Sequence, residues 1–396
     1  MIINKNKLQD FFVMIFFIFP FIKPEYLIVT YPFLSKLYLI LEIFVIIVSL
    51  VIYAKYKTIS KIIIYIFIYF IILLFPTLLY NYSNLDNYFK MFFSTIGLCL
   101  VCDLGLRFKT KPFIYAFCTI LSIYIFINLI TIFLFPNGMY IGVGSGYLEN
   151  WFLGYRNIHI LYIFPFIIFS ICLSYYKYNK ITFISYMLVF ICILSLIIAK
   201  SSTSIVGLIL IVIYIIFENK VSNAIFMNLK TYVISYILLF FSIIIFRIQE
   251  IFKFFIVDIL KKDITFTNRI FIWDDVLMFI KNKPLLGYGY ELGITRYFKS
   301  INYRSYHAHN QVLEVIYKSG FIGLLSFCTI IISIIKKLYN YKSTKIGKFL
   351  SYSLFTFFIM TLTEAYSYEY FMYLFVLFYN VDKLLFVDER NVKNEI

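Results

Sequence analysis

Apolar residues run through this chain in long blocks, separated by short polar gaps that carry lysine and arginine. A helix needs about 20 apolar residues to cross a bilayer. A window of that size picks out roughly 9–22, 34–54, 60–80, 90–106, 112–135, 157–176, 181–199, 203–218, 231–248, 309–335, 349–365 and 367–385, or about twelve spans, of which the first and last are short. The pattern predicts an all-α, polytopic integral membrane protein, with 1–396 as a single polytopic membrane domain. Two polar interruptions stand out, a small one over 136–156 and a large one over 249–308, between spans nine and ten. In the larger one, Ile251, Phe254, Phe255 and Ile259 recur at helical spacing. That spacing fits either a helix lying in the interface over 249–262 or an extension of span nine. Thr267 and Asn268 cap a second helix from Arg269 to Ile280, with Trp273, Val276, Leu277 and Ile280 on one face. Pro284-Leu-Leu-Gly-Tyr-Gly289 then forms a turn whose glycines permit close backbone approach.

Charge orients these spans. Lys5 and Lys7 precede the first span; Lys55, Lys57 and Lys61 follow the second; Arg107, Lys109 and Lys111 follow the fourth; Lys177 and Lys180 follow the sixth. Lys220 and Lys230 follow the eighth, the lysines of 336–348 follow the tenth, and Lys383, Arg390 and Lys393 form the tail. Every second connection is basic, so the expectation is a multi-pass membrane protein with both termini cytoplasmic and both long polar segments outside. The same placement explains the net charge of +16. It follows the membrane and gives no reason to expect nucleic acid. Composition agrees: 62% of residues are hydrophobic and 14% charged, against about 25% charged in soluble proteins. The six cysteines lie in apolar runs; Cys99 and Cys102 are the only close pair, within span four and with no second pair to complete a site, so all six read as small apolar filler. The few charges within spans are chiefly Glu42, Asp103, Glu314 and Lys318.

Candidate chemistry gathers in the outer segments. The chain has three histidines, His159, His307 and His309, all at the edges of the two polar segments. An ionisable imidazole at a membrane boundary is a functional candidate. His307 and His309 could share a metal, but no third ligand stands at a recognisable spacing. No Gly-x-Ser-x-Gly elbow and no outer Asp-x-Asp pair is present, so the expectation is a reaction without metal or cofactor. Arginine and histidine remain. Arginine offers a planar fork for phosphate, and histidine can take a proton from an attacking hydroxyl. Arg269 sits in the first turn of its helix, against the helix dipole. That position calls for an anionic partner, either Asp274 or a phosphate. Glu314, little more than a turn beyond His309, either orients the imidazole or faces a polar cavity. Gly320 and Gly323 read as close helix-packing positions.

The order Arg269-x3-Trp273, Pro284-Leu-Leu-Gly-Tyr-Gly289, then His309-Asn310 followed after nine residues by Gly320-x-x-Gly323 resembles the bacterial O-antigen polymerase/ligase family (Wzy- and WaaL-type integral membrane glycosyltransferases). Leu153-Gly-Tyr-Arg-Asn157 and the Ser201–Gly207 stretch also resemble that family. The resemblance covers about 150–325. It implies ten to fourteen helices with an outer loop domain, an undecaprenyl-pyrophosphate-linked glycan as donor, and metal-independent inverting transfer by essential arginines and a histidine. By position it implies that His309 and Arg269 are catalytic. Arg156, and Arg296 or Arg304, would hold pyrophosphate or glycan, together with Asn310, Glu314 and Trp273. The expected partners are the lipid-linked donor and acceptor, membrane lipid, a chain-length regulator and a flippase. The leading expectation is a polymerase of lipid-linked repeat units for capsule, exopolysaccharide or O-antigen. The alternatives are an O-antigen-type ligase and a lipid-linked oligosaccharide flippase, which would line a central cavity with charges.

Overall fold

The structure is a computed structural model that describes residues 5–141, 149–218, 228–248, 269–291, 296–298, 303–305 and 307–385. The segment expected to form an interfacial helix, 249–262, lies outside these residues. The helices in chain order are α1 (Lys5–Ile18), α2 (Glu25–Thr30), α3 (Pro32–Tyr56), α4 (Lys61–Tyr80), α5 (Leu85–Phe108), α6 (Thr110–Leu134), α7 (Ile160–Tyr178), α8 (Phe183–Ile198), α9 (Ser202–Ile216), α10 (Leu229–Phe240), α11 (Arg269–Asn282), α12 (Gln311–Asn340), α13 (Lys345–Thr361) and α14 (Met372–Tyr379). Short antiparallel pairs join β1 (Asn150–Trp151) to β2 (Gly154–Tyr155) and β3 (Arg296–Phe298) to β4 (Tyr303–Ser305). Six helices among the described residues are long and apolar enough to cross a membrane, and shorter apolar helices accompany them. The chain is therefore a helical, multi-pass membrane protein.

Local chemistry sets the ends of these helices. Pro32 starts α3, where a missing N–H costs nothing. Asn179 closes α7 in the left-handed region. Asn310 and Thr344 accept the third amide of α12 and α13 through their side chains, each at 3.0 Å. Burial then sorts the helices. Most of α7 and α5 is buried, whereas α3 keeps most of its apolar surface exposed, as a helix facing lipid would.

The charges placed within spans are neutralised locally. Lys23 Nζ lies 2.6 Å from Glu42, Arg107 lies 3.2 Å from Asp103, and Lys318 lies 2.9 Å from Glu314. Asp103 also accepts from Tyr53 at 2.6 Å and from Asn380 at 3.2 Å. In a low-dielectric interior an unpaired charge would be far more costly than these pairs.

The largest departure from the sequence pattern is in α12. Gly320 has φ 63° and ψ −167°, so the 30-residue helix is two helices meeting at a break. The turn after α11 fills that break. Phe321 and Ile322 donate their amides to the carbonyls of Pro284 and Leu285, at 2.8 and 3.3 Å. Tyr288 and Gly289 donate theirs to the carbonyls of Tyr317 and Lys318, at 2.9 and 2.8 Å. The four backbone groups freed by the break are thus paired again, as irregular backbone at membrane depth requires. Tyr290 continues the contact to α4, donating to Thr77 Oγ1 and accepting from Asn81 Nδ2, both at 2.9 Å. A Cβ on Gly320 would strike the Leu285 carbonyl. Gly320 therefore serves loop docking; the expectation of helix-on-helix packing missed this because the partner is a turn some thirty residues upstream.

Candidate active site

Three elements meet at the head of α12. The first is the N-terminus of α11, which carries Arg269. The second is the segment 307–310 leading into α12. The third is the connection after α13, residues 362–367, which two hydrogen bonds hold to α12: Asn310 Nδ2 to the Leu362 carbonyl at 3.0 Å, and the Tyr366 amide to Gln311 Oε1 at 2.8 Å. That connection delivers Glu364.

Glu364 is the hub. His309 Nδ1 lies 3.0 Å and His307 Nε2 3.3 Å from its Oε1, and Arg269 Nη2 lies 3.1 Å from its Oε2. Only 5% of the Glu364 side chain is exposed. Burial alone would raise its carboxyl, but His309, His307 and Arg269 outweigh burial and hold it down at about 2. It is a carboxylate at any physiological pH.

Donor logic then fixes the protons. The His309 amide donates to His307 Nδ1 at 3.2 Å, so that nitrogen carries a lone pair. In the neutral ring the proton of His307 sits on Nε2 and points to Glu364. His309 likewise donates Nδ1–H to the carboxylate, which leaves Nε2 with a lone pair and no hydrogen-bond partner among the described residues. His309 has φ 50°, a left-handed backbone uncommon outside glycine. That turn lets its ring and its amide face two neighbours at once.

The other sequence candidates fall into separate places. Asn310 is fully buried and caps α12. Glu314 accepts from the Ala308 amide at 2.8 Å and pairs with Lys318, so it braces the turn that carries the histidines. Trp273 has no exposed surface and fills a core with Ile270, Val276 and Leu313, which leaves no face for a sugar to stack on. Arg156 pairs with Glu149 at 2.9 Å and lies over the Tyr155 ring, away from the Glu364 hub in its contacts. Arg296 and Arg304 lie on the paired strands β3 and β4, Arg304 opposite Tyr297. Their side chains are outside what the structure describes. The anionic partner of Arg269 is Glu364, while Asp274 is taken by Arg247. His159 is buried between the Gly154 carbonyl and Asn128, at 3.1 and 3.4 Å. Burial pushes its imidazole down to about 4, so it is a neutral strut of the smaller polar segment.

His307, His309 and Glu364 place three potential ligand atoms within 4.8 Å of one another. The third ligand that sequence spacing did not supply thus comes from 55 positions downstream. The set still suits a hydrogen-bonded cluster better than a metal. Freeing His307 Nε2 for an ion would move its proton to Nδ1, against the His309 amide, and the Arg269 guanidinium adds positive charge at the same carboxylate.

Residues 187–328 match the family model described as O-Antigen ligase. This segment resembles the O-antigen ligase family. It runs from α8 into the second half of α12 and holds Arg269 and His309, and it ends before Glu364. Two curated relatives, each named "Putative polysaccharide ligase", support the same family. The Rickettsia felis protein is 34% identical over 89 residues, 19% of this chain and 21% of its own. The Rickettsia conorii protein is 33% identical over 100 residues, 22% of this chain and 24% of its own. The chain thus spans about a fifth to a quarter of the length of the curated relatives it matches. Together these resemblances place residues 187–328 beside proteins of the glycan ligase kind in sequence.

Proposed function

We propose that this protein polymerises undecaprenyl-pyrophosphate-linked oligosaccharide repeat units into capsular, exo- or O-antigen polysaccharide on the outer face of a bacterial plasma membrane. One observation carries the reading. His309 is anchored through Nδ1 to Glu364, its Nε2 is left to accept a proton, and the Arg269 fork is held on the same carboxylate. In this reading the acceptor hydroxyl attacks the anomeric carbon of the lipid-linked chain while His309 Nε2 takes its proton. The bond from that carbon to the pyrophosphate oxygen breaks, and the electron pair leaves with the pyrophosphate. Arg269 offers that oxygen its guanidinium N–H groups, and Arg296 or Arg304 adds positive charge. Glu364 fixes the imidazole tautomer and carries the counter-charge as His309 becomes cationic. No step requires a metal.

The second reading is ligation of a finished glycan to another acceptor, which the names of the two relatives favour. A flippase is the weaker reading, because the charges within the helices are paired with neighbours. The deciding experiment supplies purified protein with lipid-linked repeat units alone. Long-chain product supports the polymerase; product that forms only when a separate acceptor is added overturns it in favour of the ligase.

A further inference from the structure

Residues 364–367 form neither helix nor strand, so no regular hydrogen-bond ladder decides where Glu364 points. The head of α12 decides it. Asn310 Nδ2 donates to the Leu362 carbonyl at 3.0 Å, and Gln311 Oε1 accepts the Tyr366 amide at 2.8 Å. The two bonds grip the chain two residues before Glu364 and two residues after it. They come from adjacent positions that directly follow His309, the residue the carboxylate has to meet. The base and its carboxylate are thus referred to one short stretch of backbone.

The two gripping amides are used differently. Asn310 is fully buried and engaged at both ends, because its Oδ1 also accepts the Leu313 amide at 3.0 Å and caps the helix. Gln311 is 2% exposed, and one end of its amide is engaged. The Tyr366 N–H can only donate, so the Gln311 oxygen must face it. Its Nε2 is then buried with no hydrogen-bond partner among the described residues. A buried amide nitrogen in that condition is costly. An apolar side chain of the same length would fill the space without that penalty. What the position contributes is therefore the oxygen, and the oxygen acts on the chain that carries Glu364.

We propose that Gln311 is a positioning residue for the transfer reaction: with Asn310 it clamps the connection after α13, so that Glu364 meets Nδ1 of His309 and selects the tautomer whose Nε2 can take a proton. The proposal rests on the reading of His309 as the base and adds the device that prepares it. The chain has three histidines, so nitrogen-15 spectra of histidine-labelled full-length protein in nanodiscs can resolve each ring, with His→Ala variants for assignment. Such spectra report the tautomer independently of activity. At alkaline pH, where a free imidazole is neutral, wild-type His309 should carry its proton on Nδ1. Gln311→Met removes the oxygen and the unpaired nitrogen together at similar volume, so the melting temperature should change little. In that variant the Nε2–H form should appear. The kcat for glycan transfer should fall about 100-fold at similar KM, the scale of a misplacement of about 1 Å. Gln311→Glu restores an acceptor at the same reach and should return both readouts towards wild type. If Gln311→Met fails to accumulate in the membrane, Gln311→Asn, which draws the oxygen back by one methylene, makes the same comparison. An unchanged tautomer and an unchanged kcat in the folded variant overturn the clamp and leave the polymerase reading standing. A changed tautomer in a protein whose rate does not follow it upholds the clamp and overturns His309 as the base.

Discussion

His309 and Glu364 meet at 3.0 Å across 55 positions of sequence. The carboxylate lies on the Nδ1 side of the ring and leaves Nε2 without a partner among the described residues, open in the proposed reaction to the acceptor hydroxyl. This arrangement assigns separate roles to two residues, and those roles can be tested one at a time.

His309→Ala removes the proposed base. A positioned proton acceptor contributes about 10²–10⁴ in rate, so long-chain polymer should disappear and lipid-linked single repeat units should accumulate, with normal protein abundance. His307→Ala should be much milder. The reaction should persist in EDTA. Polymerisation by purified protein at equal rates with and without His309 would sink the assignment, and a requirement for a divalent ion would sink the metal-free mechanism.

Glu364→Gln should lower the rate by about 100-fold or more, because an amide can present its N–H to the imidazole and select the wrong tautomer. It should also shift stability with pH. The carboxyl is depressed from 4.5 to about 2 in the folded protein, so as pH falls the unfolded state takes up the proton first. The stabilisation, about 3 kcal/mol at most, is therefore fully present above pH 4.5 and lost as pH falls towards 2. Melting curves in detergent should show wild type above the variant near neutrality, with the gap closing over that acid window. A gap that widens on acidification would contradict the geometry.

Arg269→Lys keeps the charge and discards the planar fork that reaches both Glu364 and, in the proposed reaction, pyrophosphate. Product formation should drop severely at unchanged membrane abundance. Full activity in Arg269→Lys or Arg269→Ala would leave the residue as an anchor of α11 only.

Gly320→Ala should destabilise the protein by about 2 kcal/mol or more, since it combines a left-handed backbone with a Cβ driven into the Leu285 carbonyl. Gly323→Ala, where the obstacle is the movable Ser319 side chain just before the break, should cost less. Melting temperature and membrane abundance of the two variants give the comparison, and equal effects would refute the docking role.

Topology can be checked by cysteine labelling. In a cysteine-free background, single cysteines at Ser145 and Ser300 should react with an impermeant thiol reagent in intact cells, and one at Ser343 should not. The reverse pattern would place the proposed chemistry on the wrong side of the membrane.

The helices were legible because hydrophobic run length at membrane scale leaves few alternatives, and eleven of the twelve windows overlap a helix of ten or more residues. His309 and Arg269 were legible because they stand in ordered motifs. Glu364 was not, because it has no motif and lies far along the chain from both. It did leave a signal: it falls inside the apolar window 349–365, where an ionisable residue is costly and asks for a partner. The break at Gly320 was hidden for a different reason. Hydropathy continues unchanged across it, and only the pairing with Pro284–Gly289 shows that the helix stops and restarts.

That pairing also determines how the protein tolerates insertions. α11 is a rigid rod whose far end is stitched by four backbone hydrogen bonds into α12, and Arg269 stands at its near end. The guanidinium is therefore positioned from downstream by the stitch, with the Arg247–Asp274 ion pair and the packing of Ile244 against Ile270 and Trp273 holding the rod from the side. One added residue between Asn282 and Gly289 would therefore shift the whole rod and carry Arg269 away from Glu364.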